Sequence, residues 1–132
     1  MSTERNKWID VIAKMLKLTQ EGKLAWKAEQ PPAQLGGRSD RRVELVFTSI
    51  YKEKRLRLYQ YAFQSEEVDV SPYDGSISRT MQWRTKPILE IVDRSGAALW
   101  KFPNVSALND LLYSVQYQVA GAKELLDDFM KE

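Results

Sequence analysis

The chain has 132 residues, 43% hydrophobic and 29% charged, with a net charge of +2, the length and balance of one soluble domain able to bury a core. It contains neither histidine nor cysteine. That excludes a Ser–His–Asp triad, a Cys–His dyad, a thiol redox centre and a Cys/His zinc site within one chain. No apolar run approaches the ~18 residues that span a bilayer, and the polar stretch Met1 to Asp10 lacks the apolar core of a signal peptide. The expectation is a cytoplasmic protein without membrane contact.

The first element reads as a helix. Ser2 or Thr3 can cap it, Glu4 suits its first turn, and Trp8, Ile12, Met15, Leu16 and Thr19 recur at helical spacing. Glu21-Gly22-Lys23 ends it, glycine being free to take the left-handed position after a helix. Leu24 to Glu29, with Trp26, is a short candidate strand. Gln30 to Arg42 is a break: Pro31-Pro32 interrupts a ladder, and Gly36-Gly37-Arg38-Ser39-Asp40 is loop chemistry, expected to be mobile.

Val43 to Phe63 carries the clearest strand signal. Val43, Leu45, Phe47 and Tyr51 alternate with Glu44, Val46, Thr48 and Ile50, so both faces are apolar enough for a central place in a sheet. Lys52-Glu53-Lys54 makes the turn. The return strand puts Arg55, Arg57, Tyr59, Tyr61 and Phe63 on one face and Leu56, Leu58, Gln60 and Ala62 on the other.

Residues 64–86 are the least regular and are expected to form a second mobile loop. An acidic Glu66-Glu67-Val68-Asp69 precedes the turn Pro72-Tyr73-Asp74-Gly75, and Thr80 to Trp83 suits a short strand or an ordered loop. A hairpin follows, Ile88 to Val92 and Ala97 to Phe102 around Asp93-Arg94-Ser95-Gly96. Asn104 or Ser106 then caps a last helix. In it Leu108, Leu111, Leu112, Val115, Val119, Ala122, Leu126 and Phe129 share a face for about six turns. Ala120-Gly121-Ala122 marks a kink or a close backbone approach within it.

Strands gathered between helices indicate a single α+β domain over residues 1–132. The expected architecture is an antiparallel meander of four to five strands, flanked by N- and C-terminal helices packed on one face. Trp8, Ile12, Leu16, Leu108, Leu112, Val115 and Val119 should meet Leu45, Phe47, Leu58, Leu89 and Ile91. The other sheet face, with Val46, Ile50, Tyr59, Tyr61 and Phe63, then needs its own cover, from a partner or from residues 64–86.

Charge is unevenly spread. Residues 36–63 hold seven Lys/Arg against three Asp/Glu, a net of +4; residues 64–83 hold one against four and residues 104–132 two against five, each a net of −3. Such segregation suits self-association or a charged ligand, or else neutralisation within the fold. The candidate binding surface is Lys52, Lys54, Arg55, Arg57, Tyr59 and Tyr61, joined by Trp83 and Arg84, where an exposed tryptophan beside arginine has the character of an interface anchor. No catalytic residue, cofactor fingerprint or metal-ligand spacing stands out. Gly36-Gly37-Arg38-Ser39 lacks the context of a phosphate loop, and the acidic stretches do not match a calcium loop.

The function expected is therefore a non-catalytic protein-interaction module, self-associating or packing on a larger protein, with no cofactor. Two alternatives stand beside it. Cations interleaved with aromatics could bind single-stranded nucleic acid or another polyanion, and a buried carboxylate or tyrosine could serve a small enzyme.

Overall fold

A computed structural model describes residues 3–33, 35 and 41–132. Helix α1 spans Thr3–Gln20, and its apolar stripe buries Ile12 completely, with Trp8, Ile9, Met15, Leu16 and Leu18 packed around the same core. Gly22 ends it at φ 75°. The Lys23 N–H reaches back to the Leu18 carbonyl at 2.9 Å and the Gly22 N–H to Thr19 at 3.1 Å, the paired bonds of a Schellman motif. The chain turns into β1, Lys27–Glu29, through buried Trp26, whose indole N–H donates to the Thr19 hydroxyl at 3.1 Å.

Four strands follow the two-residue β2, Arg41–Arg42: β3, Val46–Tyr51; β4, Lys54–Val70; β5, Ile77–Val92; and β6, Ala98–Lys101. All pairings are antiparallel, in the order β1-β3-β4-β5-β6, with β2 added to β4. Lys52 and Glu53 carry the β3–β4 turn at φ 47° and 70°. Such a two-residue turn with left-handed backbone matches strand twist, here without the usual Asn or Gly. The Asp93 carboxylate holds the β5–β6 turn by accepting from the Ser95 and Ala97 N–H groups, each at 2.9 Å.

Helix α2, Ala107–Val119, lies with α1 on one face of the sheet. Leu108, Leu111, Leu112 and Val115 join Phe47, Leu56, Leu58, Leu89 and Ile12 in the main core. One amide ties its end down: Gln118 accepts from the Trp26 N–H at 2.8 Å and donates to the Thr19 and Leu24 carbonyls, each at 3.0 Å. The architecture is thus α+β, with a six-stranded antiparallel sheet between N- and C-terminal helices.

Several expectations need correction. The last helix is two helices: Gly121 sits at φ 67° and separates α2 from α3, Ala122–Met130, which buries no residue. Leu45 is 42% exposed, because the chain is not yet in the β3 ladder and the α/β core begins at Phe47. Val43 turns to the other face, where it packs with Val46 and Tyr59, and with Leu35, Tyr61 and Ile88 around them. The segment leading into β3 therefore covers Val46 and Tyr59, while Ile50 stays 64% exposed; residues 64–86 supply no cover there. Those residues are no loop: Gln64 to Val70 and Ile77 to Lys86 continue β4 and β5 as a ladder around the Pro72–Gly75 turn. Of the other expected mobile stretch, residues 34 and 36–40 lie outside the described residues, as does the candidate cap Ser2, while Arg41 and Arg42 form β2. Ser106 precedes α2 without a side-chain cap.

Candidate interaction surface

The basic–aromatic strand does share one face, as its alternation requires, but the fold divides that face. Arg57 and Tyr59 are buried, 5% and 4% exposed. Opposite Arg57 in register stands Glu90, and the two charges pair at 3.4 Å with side chains 6% and 7% exposed. A second Arg57 nitrogen donates to the Gly96 carbonyl at 2.8 Å, whereas its Nε has no partner. Burial, and next the Glu90 carboxylate that the Tyr59 phenol faces, push that phenol well above the usual tyrosine range. These three groups face one another inside the protein and cannot form a surface platform.

The remaining candidates are scattered. Lys52, exposed in the β3–β4 turn, lies 5.6 Å from the Tyr51 ring. Lys54 and Arg55 line an open cleft of about 780 Å3 with Arg94 and the acidic Glu53 and Asp93. Tyr61 is half-buried and stacks on Phe63 with ring centroids 5.6 Å apart, and Lys86 lies 5.8 Å and 5.7 Å from those rings. Arg84 is occupied by Ser65 at 2.8 Å and Glu67 at 3.5 Å. Trp83 lies on the opposite face from Arg84, 41% exposed, with the Arg42 guanidinium 4.5 Å from its ring centre.

Trp83 belongs to a larger feature. β4 and β5 pair over sixteen rungs, from Arg55–Val92 to Val70–Ile77. β3 reaches only Tyr59 and β6 begins opposite Glu90, so beyond Gln60 and Pro87 the two strands run on with, among the described residues, β2 alone beside them. At about 3.3 Å per residue, this arm projects roughly 30 Å. Period-2 alternation sorts its faces. On the side that carries the helices in the body lie Val68, Val70, Ile77, Met81 and Trp83, all between 41% and 63% exposed. The charged pair Arg79–Glu66, 3.5 Å apart, is among them. The other side carries Ser65, Glu67, Asp69, Ser78, Thr80, Gln82 and Arg84. The arm is an amphipathic ribbon with its apolar face uncovered.

At the base of the arm the apolar face runs into a groove of about 310 Å3, walled by Trp83, Arg42, Leu45 and Gln116 at the end of α2, and floored by Phe47, Gln60 and Ala62. A second uncovered surface is on α3. Ala122, Leu125, Leu126, Phe129 and Met130 follow the i, i+3, i+4, i+7 spacing of one helix face, and the last four are 55–77% exposed. Sequence reasoning picks out Trp83 but misses the rest of both surfaces, although the alternation of Ile77, Met81 and Trp83 with Ser78, Thr80 and Gln82, mirrored across Pro72–Gly75, is a signal for the arm.

Comparisons with protein-family models, with characterised proteins and with solved structures find no match to this chain. Among the described residues no three carboxylates converge to hold a metal ion, and no helix is long and apolar enough to cross a membrane.

Proposed function

We propose that the protein is a non-catalytic interaction module that self-associates, and that the helix-side face of the β4–β5 arm is its contact surface. The observation that carries this reading is the five apolar side chains exposed along one face of a ribbon whose other face is polar. A two-stranded ribbon is marginally stable alone in water and needs packing on a further layer. An apolar stripe kept to one side of it is the pattern of a surface built to be covered. Of the groups that could bind nucleic acid, Arg57 and Tyr59 are engaged with Glu90 in the interior, which splits Lys52, Lys54 and Arg55 from Tyr61, and the same engagement holds the buried tyrosine.

Sedimentation velocity from about 1 to 100 μM, a range that brackets ordinary weak and tight dimers, tests the reading. The expected result is a concentration-dependent dimer that Met81→Asp converts to monomer while the circular dichroism of the fold is retained. A protein that stays monomeric throughout, or a Met81→Asp variant that dimerises like the parent, overturns it.

A further inference from the structure

We infer that the occupant of the arm is α3 of a second copy, each protomer laying its C-terminal helix on the other's ribbon. The inference rests on the self-association proposed above and names the surface that meets the arm. Two helices fill the sheet's helix side over the body. α2 packs over β5 and β4, and α1 lies against α2 with its Trp8 on Trp100 and Phe102, towards β6. The next position, over Ala62, Thr85 and Trp83, is the groove at the arm's base, so one more helix continues the layer.

The chain supplies a helix of the right kind and leaves it unpacked. α3 has an apolar face and no buried residue. It cannot reach the groove in the conformation it holds. Gly121, left-handed at φ 67°, turns it towards the end of α1, where Lys123 and Glu124 line a cleft with Gln20, Glu21 and Gly22. A ribbon that needs a helix and a helix that needs a sheet thus sit apart on one chain. Reciprocal exchange between two copies satisfies both, with the same contact made twice about a two-fold axis.

Area agrees with the exchange, and charge does not oppose it. The arm's Glu67 and Asp69 lie on its far face, while the face offered to a partner balances Arg42 with Glu44 in the groove and pairs Arg79 with Glu66. Asp127 and Asp128 border the α3 stripe on its two sides, with Lys123 nearer its start. With exposures of 41–77%, the two stripes together present on the order of 1,000 Å2 per copy, against ~800 Å2 per partner in a standard interface.

Because the chain contains no cysteine, engineered pairs report contacts without background. Met81→Cys and Phe129→Cys proteins, one carrying a mass tag, are mixed and mildly oxidised. The expected product is the 81–129 disulfide between two copies. In a second measurement, Met81→Asp and Phe129→Asp should each weaken self-association by about 30-fold or more, the scale of a buried anchor. A mixture of the two should form a heterodimer through the one arm–α3 contact it keeps. Three results overturn the inference. One is an 81–81 disulfide with a Phe129→Asp variant that still dimerises, which places arm on arm and leaves the self-association reading intact. Another is an 81–129 disulfide within one copy of the double cysteine variant, with no cross-linked dimer. The third is a parent protein monomeric at every concentration, which removes both readings together.

Discussion

Removing the Arg57 charge should destabilise the protein far more than removing Arg57 and Glu90 together. The two side chains are 6% and 7% exposed and 3.4 Å apart, so among the described residues each is the other's counter-charge in a region nearly closed to water. Arg57→Met leaves Glu90 ionised and unpaired in the interior, a change that costs about 3–5 kcal/mol. Glu90→Leu strands the guanidinium instead, partly relieved by its bond to the Gly96 carbonyl at 2.8 Å, and should cost about 3 kcal/mol. The double variant replaces the ions with apolar groups of similar size. It should lie within about 2 kcal/mol of the parent, since burying the pair already leaves Arg57 Nε without a partner. Urea unfolding followed by tryptophan fluorescence gives all four stabilities, with unchanged m-values as the check that the states compared are the same. The double variant should fall short of the sum of the two singles by about 3 kcal/mol or more. If each single costs under about 1 kcal/mol and the effects add, the pair behaves as an exposed salt bridge, and the account of this sheet face as interior is wrong.

Gly121→Ala should cost about 1–2 kcal/mol, the penalty of a left-handed alanine, because the added Cβ meets only the Glu124 carboxylate at 3.5 Å; chemical denaturation measures it, and no loss would mean that the α2–α3 break is not held at φ 67°. In alkaline difference spectra one of the six tyrosines should stay un-ionised beyond the ordinary phenol range near pH 10, since the Tyr59 phenol is raised by burial and by Glu90. A raised value means its contribution is whole below that range and lost as pH climbs through it; Tyr59→Phe should remove the late step. Asp93 runs the other way: bonds from the Ser95 hydroxyl, the Ala97 N–H and the Ser95 N–H hold its carboxyl below the usual range. Its contribution is whole above about pH 4 and lost as pH falls through the lowered value, so Asp93→Asn should flatten the acid limb of a melting-temperature profile.

The helix stripes and the 88–102 hairpin were legible because each is a local pattern. Ile12, Leu108 and Val115 announce their face by spacing alone, and Gly22 and Gly96 stand where a left-handed backbone is required. The faces of β4 were legible for the same reason, since side chains alternate whatever covers them. What covers them is not local. Arg57 and Tyr59 read as surface residues until Glu90, thirty-three positions on, is placed opposite by the β4–β5 register, and until Val43 and Leu35 close over Tyr59. The arm was hidden differently. Its acidic Glu66-Glu67 and the proline turn have loop composition, and no hydrophobic run marks strands that bury nothing in the protomer. Gly121 was visible as an interruption, but its left-handed backbone, which turns a kink into a break, was not.

The same facts explain why we propose the contact surface on the arm and not on the strand that looks most like one. A sheet with two apolar faces must cover both. Here the helices cover one, and the segment leading into β3, together with the Arg57–Glu90 pair, covers the centre of the other, so the body spends Arg57 and Tyr59 on its own interior. Where β4 and β5 outrun their neighbours among the described residues, the ladder leaves a run of five apolar side chains on one exposed face. An uncovered ribbon of this kind invites uncontrolled strand pairing. The polar far face, with Glu67 and Asp69 opposite the apolar stripe, argues against open-ended stacking and for a contact that closes after one partner. A reciprocal pair of arms has that property, because each ribbon, once covered, offers only its charged side.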